Sequence, residues 1–437
     1  MTWAPGNLTA TLGISASTIK AGLPAYYDKK FLRPYYYDLR IAPLGQSRPL
    51  PEGMGTTATF FRYHDIAVSL SGAHLTEGHN PDPTLVTGSE ITATIREWGA
   101  FSQHSSLISH AHIDRKLSKL SGMWGANAAK TMDLLCACAV AAEGSYPIRA
   151  DGAWTAGVYY YAGTITTATS TTVIADTSAA SNTNFGDGND DFNQSVIVFT
   201  SGSCKGISRA VTDYVTSGGV ITMAPALDMT PAVGDTFVVV SAHGLTTSNP
   251  LSTTNVRKAV QTLRNNKAVP LRSDMFVGVL CADTEAGLMA DTNWTNVMQY
   301  RDRPDVKVNG LFAGEVGEWG GVRWVRTTQP HRFPITTVGT AGGSYGVGAF
   351  DPANSLYTNY AETGAVYSTM IFGQEAFGRT TFEGADKSML KPGVIIKTPG
   401  PHTTSDPLGR YSTVGWVIPA IAKGLNSLFA VQIWSAA

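Results

Sequence analysis

The sequence predicts a mixed α+β chain with a small antiparallel β unit inserted into it. Three observations lead there. A long helical pattern follows two alternating, strand-like segments within residues 55–144. Short alternations separated by turn residues crowd residues 158–250. Helix and strand patterns then mix from Leu251 onward.

Composition bounds the rest. A chain of 437 residues suffices for two or three domains. Apolar residues make up 43%, as in a globular protein, but charged residues make up only 15%. Surface without charge must be covered by Ser, Thr, Asn and Gly, or by other subunits. A net charge of −1 gives no bulk electrostatic case for wrapping nucleic acid. Cys136, Cys138, Cys204 and Cys281 form no disulfide framework and read as reduced thiols of a cytosolic product. The start Met1-Thr-Trp-Ala-Pro5 is not a basic segment ahead of an apolar run, so no signal peptide is expected. The longest apolar helical run, Leu134 to Ala142, is too short to span a bilayer, and no membrane partner is expected.

Taken in order, residues 1–50 are polar and then aromatic, from Tyr26 to Tyr37. They read as an extended arm with a short helix near Tyr26–Leu32, too small for a core of its own. Its aromatics must dock elsewhere, most simply on the same chain.

Thr57 to His64 and Ser89 to Trp98 alternate with period two and flank a polar, Pro-punctuated tip, Glu77 to Pro83. They read as a two-stranded ribbon. Ile91, Ala93, Ile95 and Glu97 share one face, and Thr92, Thr94, Arg96 and Trp98 the other. Neither face is apolar enough for a private core, and a lone ribbon is marginal in water. A neighbouring subunit is the simplest support.

From Arg115 to Glu143, Leu117, Leu120, Trp124, Ala128, Thr131 or Met132, Leu135 and Ala139 recur at helical steps. Asp114 is a candidate cap and Gly144 a candidate left-handed stop. At about 1.5 Å per residue the helix spans roughly 43 Å, enough for a spine.

Between Val158 and Pro250 there are seven Asp, no Glu, one Lys and one Arg. Five short alternations, at 171–175, 195–200, 207–213, 220–223 and 236–241, imply a small sandwich or barrel. Beyond it, helices are expected at 255–265 and 284–291. Strands are expected at 276–281, 322–326, 366–372, 393–397, 415–419 and 428–434. Together they suggest helices on one mixed sheet.

The order of these parts resembles the major capsid proteins of tailed bacteriophages, with the Hong Kong 97-type fold, and within them the family named after the coat of the N-four phage. The resemblance rests on Arg48-Pro-Leu-Pro51 with Gly55 to Arg62, Leu75 to Gly78 with Pro81, and Ile95 to Gly99 with Ser105 to Ile108. It continues through Gly314 to Gly317 with Gly320 to Arg323, Phe372-Gly373 with Ala376 to Gly378, and Asp406 to Leu408 with Val414 to Trp416. It covers about residues 20–150 and 250–437.

It implies an N-terminal arm (1–54), an extended β-ribbon loop over a neighbour (55–104), and a spine helix opening a peripheral domain (105–157). It also implies an axial domain with returning peripheral strands (251–437). The insert, 158–250, departs from the family's minimal pattern. Arg62, Glu77, Pro81, Arg96 and Trp98 become candidate subunit contacts. The implied partners are copies of the chain in hexamers and pentamers, a portal protein, and packaged double-stranded DNA on the inner face. Scaffold and decoration proteins are optional additions. The implied location is the virion, after synthesis in the bacterial cytoplasm.

Motifs that suggest chemistry lack their context. Gly342-Gly-Ser344-Tyr-Gly346 matches a nucleophile elbow but has loop-like sequence on both sides. His110 and His112, with His104 nearby, lack a carboxylate or Cys to complete a metal site. Asp187 to Asp191 lacks the closing Glu of a calcium loop. The Gly-rich run from Gly310 to Gly321 has no Gly-Lys-Ser/Thr ending and is no phosphate cradle. Arg115, Lys116 and Lys119 suit either DNA or solvent.

The reading is therefore a non-enzymatic shell subunit with no cofactor, no catalytic residue and no metal. Its rivals are an encapsulin-like nanocompartment shell and a hydrolase carrying a β-sandwich binding module.

Overall fold

The helical pattern folds as one helix, α1 (Lys116–Glu143). From Cys136 to Ala141 every residue of it is buried. A helix apolar all round belongs inside a protein, and α1 runs between two β-sheets. The computed structural model describes residues 30–36, 38–51, 53–66, 74, 77–78, 86, 88–105, 116–152, 160–168, 170–179, 189, 192–193, 195–241, 245, 249–271, 274–294, 315–328, 331–333, 350–351, 356–357, 366–383, 393–397 and 410–436.

One face of α1 packs on a peripheral sheet whose axis is β23 (Tyr411–Gly424). β5 (Arg96–Ser105) runs antiparallel to it from Ser105↔Tyr411 to Arg96↔Ala420. β22 (Gly393–Lys397) pairs with residues 413–417 and β21 (Phe377–Glu383) with residues 420–424. Pro419 has no N–H for a ladder, and it falls where neither β22 nor β21 lies alongside. β1 (Gln46–Ser47) and β2 (Leu50–Pro51) run parallel to β21.

The second sheet, the axial one, has the order β15 (Glu315–Trp319), β16 (Val322–Arg326), β14 (Phe276–Leu280), β20 (Val366–Phe372), β24 (Ala430–Ala436), β6 (Tyr146–Arg149). A short β17 (His331–Phe333) also pairs with β20. β14 and β16 are parallel, as are β24 and β6; the other pairs are antiparallel. α2 (Thr253–Asn265), capped by Ser252, and α3 (Ala282–Met289) complete this half. The strands after Leu251 thus divide between two sheets, which corrects the expectation of one. The reason is pairing: β20 and β24 complete each other, while β21 and β22 are both taken by β23. A two-residue pair, β18 (Phe350–Asp351) with β19 (Leu356–Tyr357), stands apart.

The inserted region forms an antiparallel sheet in the order β7 (Tyr160–Thr164), β13 (Thr236–Val240), β10 (Val196–Phe199), β11 (Ser208–Val215), β12 (Val220–Ala224), β9 (Val173–Ala175), β8 (Thr167–Ala168). β7 and β8 are two halves of one run bent at Ile165. The first half pairs with β13 and the second with β9, so the sheet closes into a barrel. Ile197 and Phe199 point into its core with Tyr214 and Phe237. The alternate residues Val196 and Val198 pack outward on Val366 and Trp434 of the axial sheet. Both faces of β10 are therefore buried, which explains its uninterrupted apolar sequence.

The described part of the arm, from residue 30, docks on its own chain. Among the described residues, 30–36 are helical, residues 26–29 of the expected helix lie outside them, and Phe31, Tyr35, Leu39 and Ile41 join the α1 core. Asp114 lies outside the described residues. Gly144 is not left-handed, contrary to expectation. It is needed for close approach instead: a Cβ on it would sit 2.9 Å from the Cα of Gly424.

Candidate assembly surfaces

The two alternating segments pair as a ribbon, β3 (Thr57–Tyr63) with β4 (Gly88–Thr94), in register from Thr57↔Thr94 to Tyr63↔Gly88. The second predicted segment divides at Ile95, and its continuation leaves as β5. The alternation gives the ribbon two unlike faces. Phe60, Ile91 and Ala93 are buried against Leu425, and Ala58 beside them is buried too, so one face has a small core within its own chain. This corrects the expectation that neither face could. Phe60 makes that docking close: a Cβ on Gly378 of β21 would meet its ring at 3.0 Å. The Arg48 guanidinium also lies over that ring, 5.7 Å from its centroid, and donates to Thr59 O. The opposite face carries Phe61, 67% exposed, and Tyr63, 80% exposed.

The expected contact residues separate into two groups. Arg62 and Trp98 are engaged inside the chain. Arg62 Nη1 donates to Leu425 O at 2.9 Å and to Gly206 O at 3.1 Å. Burial pulls the guanidinium down to about 10, which leaves it charged at neutral pH. Trp98 Nε1 donates to Ala420 O at 2.9 Å, and its ring packs on the α1 core. Glu77 is exposed in a turn at the ribbon's far end, and Arg96 is half-buried where β5 begins. Pro81 lies outside the described residues.

A second uncovered surface went unnoticed in the sequence. The side of the peripheral sheet away from α1 exposes Phe101 (71%) and Ile395 (50%), with Val417 beside them. Gly415 lies between Phe101 and Ile395 in register and forms the floor of a groove of about 510 Å³. Glu97 and Lys397 stand at its rim. Alternation in 97–103 and 413–417 was a usable signal, but the glycines Gly99 and Gly415 interrupt it.

Among the described residues no group of three or more His, Cys, Asp or Glu is placed to hold a metal ion. His104 Nε2 lies 3.0 Å from Ser102 Oγ in β5. Asn189 Oδ1 accepts the N–H and hydroxyl of Thr216. His110, His112, Gly342 to Gly346, and Asp187, Asp190 and Asp191 lie outside the described residues. No helix among those described is long and apolar enough to cross a membrane.

Comparison with known proteins gives one family match, to a phage capsid protein model, over residues 214–385, or 172 of 437. No curated protein matches the chain. Solved structures similar to it include the capsid of Ralstonia phage GP4, at 12% identity over 92% of this chain and 91% of that one, TM-score 0.49. Another is the capsid of cyanophage P-SCSP1u, at 14% identity over 90% and 86%, TM-score 0.44. The matched segment runs from the barrel's β11 through the axial sheet to β21 of the peripheral sheet. Over that segment the chain is similar to phage capsid proteins.

Proposed function

We propose that this chain is the major subunit of a tailed-phage head, joined to itself in hexamers and pentamers of an icosahedral shell around double-stranded DNA. One observation carries this reading. Among the described residues two apolar surfaces are exposed, the outer ribbon face with Phe61 and Tyr63 and the sheet groove with Phe101 and Ile395. Exposed apolar side chains gathered on one face favour an interaction site. Glu77, Pro81 and Arg96, with the ribbon's outer face, are the proposed contacts to a neighbour. Head-to-tail contacts of this kind close into rings. Many modest contacts per subunit then hold each copy in place. A portal protein, packaged DNA, synthesis in the host cytoplasm, and any scaffold or decoration protein belong to this proposal.

Deleting residues 81–87 tests it. The expected outcome is a folded subunit, with unchanged circular dichroism, that builds no stable shells. Normal closed particles in electron micrographs of the deletion would count against it.

A further inference from the structure

The inserted barrel touches the ribbon at a built junction. The Arg62 guanidinium, on the ribbon, reaches main-chain oxygens of two other segments. Lys205 O and Gly206 O belong to the barrel turn between β10 and β11, and Leu425 O to the β23–β24 connection. Carbonyls gathered round one cation make charge-assisted bonds, stronger than neutral ones and lost together if the cation goes. Ser89, opposite Arg62 in the ribbon, donates to Ser203 O of the same turn at 2.8 Å. His64 Nε2 lies 2.6 Å from Ser89 Oγ. Further along β4, Thr92 Oγ1 donates to Asp228 Oδ1 at 2.7 Å, and Asp228 is paired in turn with Arg209 of β11.

The barrel turn is shaped to receive the guanidinium. Gly206 has φ +75, and a Cβ there would lie 3.0 Å from Arg62 Nη1 and 2.6 Å from Asn426 Oδ1. Its carbonyl also accepts Ser427 N at 2.8 Å. Only glycine gives both the left-handed backbone and the space. The barrel is in turn fixed to the axial sheet through Val196, Val198 and Trp434.

We infer that the inserted barrel is the ribbon's cradle: it sets the direction in which the ribbon leaves the subunit, by holding Arg62 and Ser89 at the loop-ward end of the pairing and Thr92 nearer the root. A two-stranded ribbon with one thin apolar face would otherwise swing about its root. The role rests on the shell reading only for its purpose, which is to present the outer face of the ribbon to a neighbour.

Hydrogen exchange read by mass spectrometry on the dissociated, full-length subunit tests this, independently of whether shells form. In Arg62→Ala, amides of 57–63 and 88–94 should exchange at least tenfold faster, with those of the 200–207 turn. Amides of 128–141 in α1 and 196–199 in β10 should stay as slow as in the parent. Arg62→Lys should follow, because an ammonium has no planar fork to bridge the segments. Gly206→Ala removes the fit while leaving the guanidinium in place, and should loosen the ribbon similarly. Unchanged ribbon exchange in Arg62→Ala overturns the inference. If Arg62→Ala fails to fold, Gly206→Ala decides by the same criterion: a local loss supports the cradle, and an unchanged ribbon or a loss spread evenly through α1 overturns it.

Discussion

The Asp133 carboxylate, in the middle of α1, accepts the backbone N–H of Ile41 at 3.0 Å, across 92 positions of sequence. The same carboxylate takes the N–H of Ala42 at 3.0 Å and of Arg40 at 2.6 Å. It thereby caps the 3-10 turn Ala42–Leu44, whose N-cap residue Ile41 supplies no side-chain cap. This buried group ties the spine to the arm with three hydrogen bonds.

Its pH dependence follows. Burial pushes Asp133 up from 3.8 to about 6, against the pull of the three N–H groups and Arg40. The folded chain therefore holds this proton more tightly than the unfolded chain. The group's contribution is full below about pH 4 and falls as pH rises to about 6, by roughly 3 kcal/mol. Asp133→Asn turns an amide N–H toward the Arg40 N–H and should cost about 1–3 kcal/mol near pH 5. The difference in denaturation free energy between parent and variant, measured from pH 4 to 7, should shrink with rising pH. A constant difference would contradict this.

Gly125 carries the arm's other contact. A Cβ there would lie 2.2 Å from Phe31 O. Gly125→Ala should push the 30–36 helix off the spine and expose Phe31 and Tyr35, at a cost of about 2–4 kcal/mol. Faster proteolysis near residue 30 with α1 still protected is the expected readout.

Glu285 and Arg326 fix α3 to the axial sheet by a two-pronged pair, both N–O distances 2.6 Å. Glu285 is buried and Arg326 half-exposed. Arg326→Ala leaves the carboxylate buried and unpaired, and should cost about 2–4 kcal/mol. Glu285→Gln/Arg326→Ala should recover part of that. A double variant as unstable as the sum of its singles would refute the coupling.

All four cysteines are buried and free. Burial pushes Cys138 up to about 12 and Cys136 higher still. Only the thiolate is reactive. A maleimide at pH 8 should therefore label none of the four in the native chain and all four in denaturant. Rapid native labelling of Cys136 or Cys138 would contradict the packing around α1.

Local patterns were legible in the sequence and long-range pairings were not. The ribbon and α1 announce themselves by alternation and by helical spacing within one stretch. β21 did not, because Phe377-Gly-Arg-Thr-Thr-Phe-Glu383 has no clean alternation; its place is set by partners at 46–51 and 420–424. β6 is four residues long, contains Pro147, and exists by pairing with β24 almost three hundred positions away. Only the middle of β23 was predicted, since Pro419 reads as a strand end. At the ribbon, composition rightly showed exposed surface. It did not show Leu425 under Phe60, or that Arg62 and Trp98 turn inward, because those partners come from the chain's other end.

The central claim is that this chain is completed by copies of itself. Electron microscopy of the purified full-length protein, with sedimentation across a range of concentrations, tests it most directly. The account predicts rings or closed shells in the micrographs and mass that rises with concentration. A monodisperse monomer at every concentration, with no assemblies in the micrographs, would contradict it.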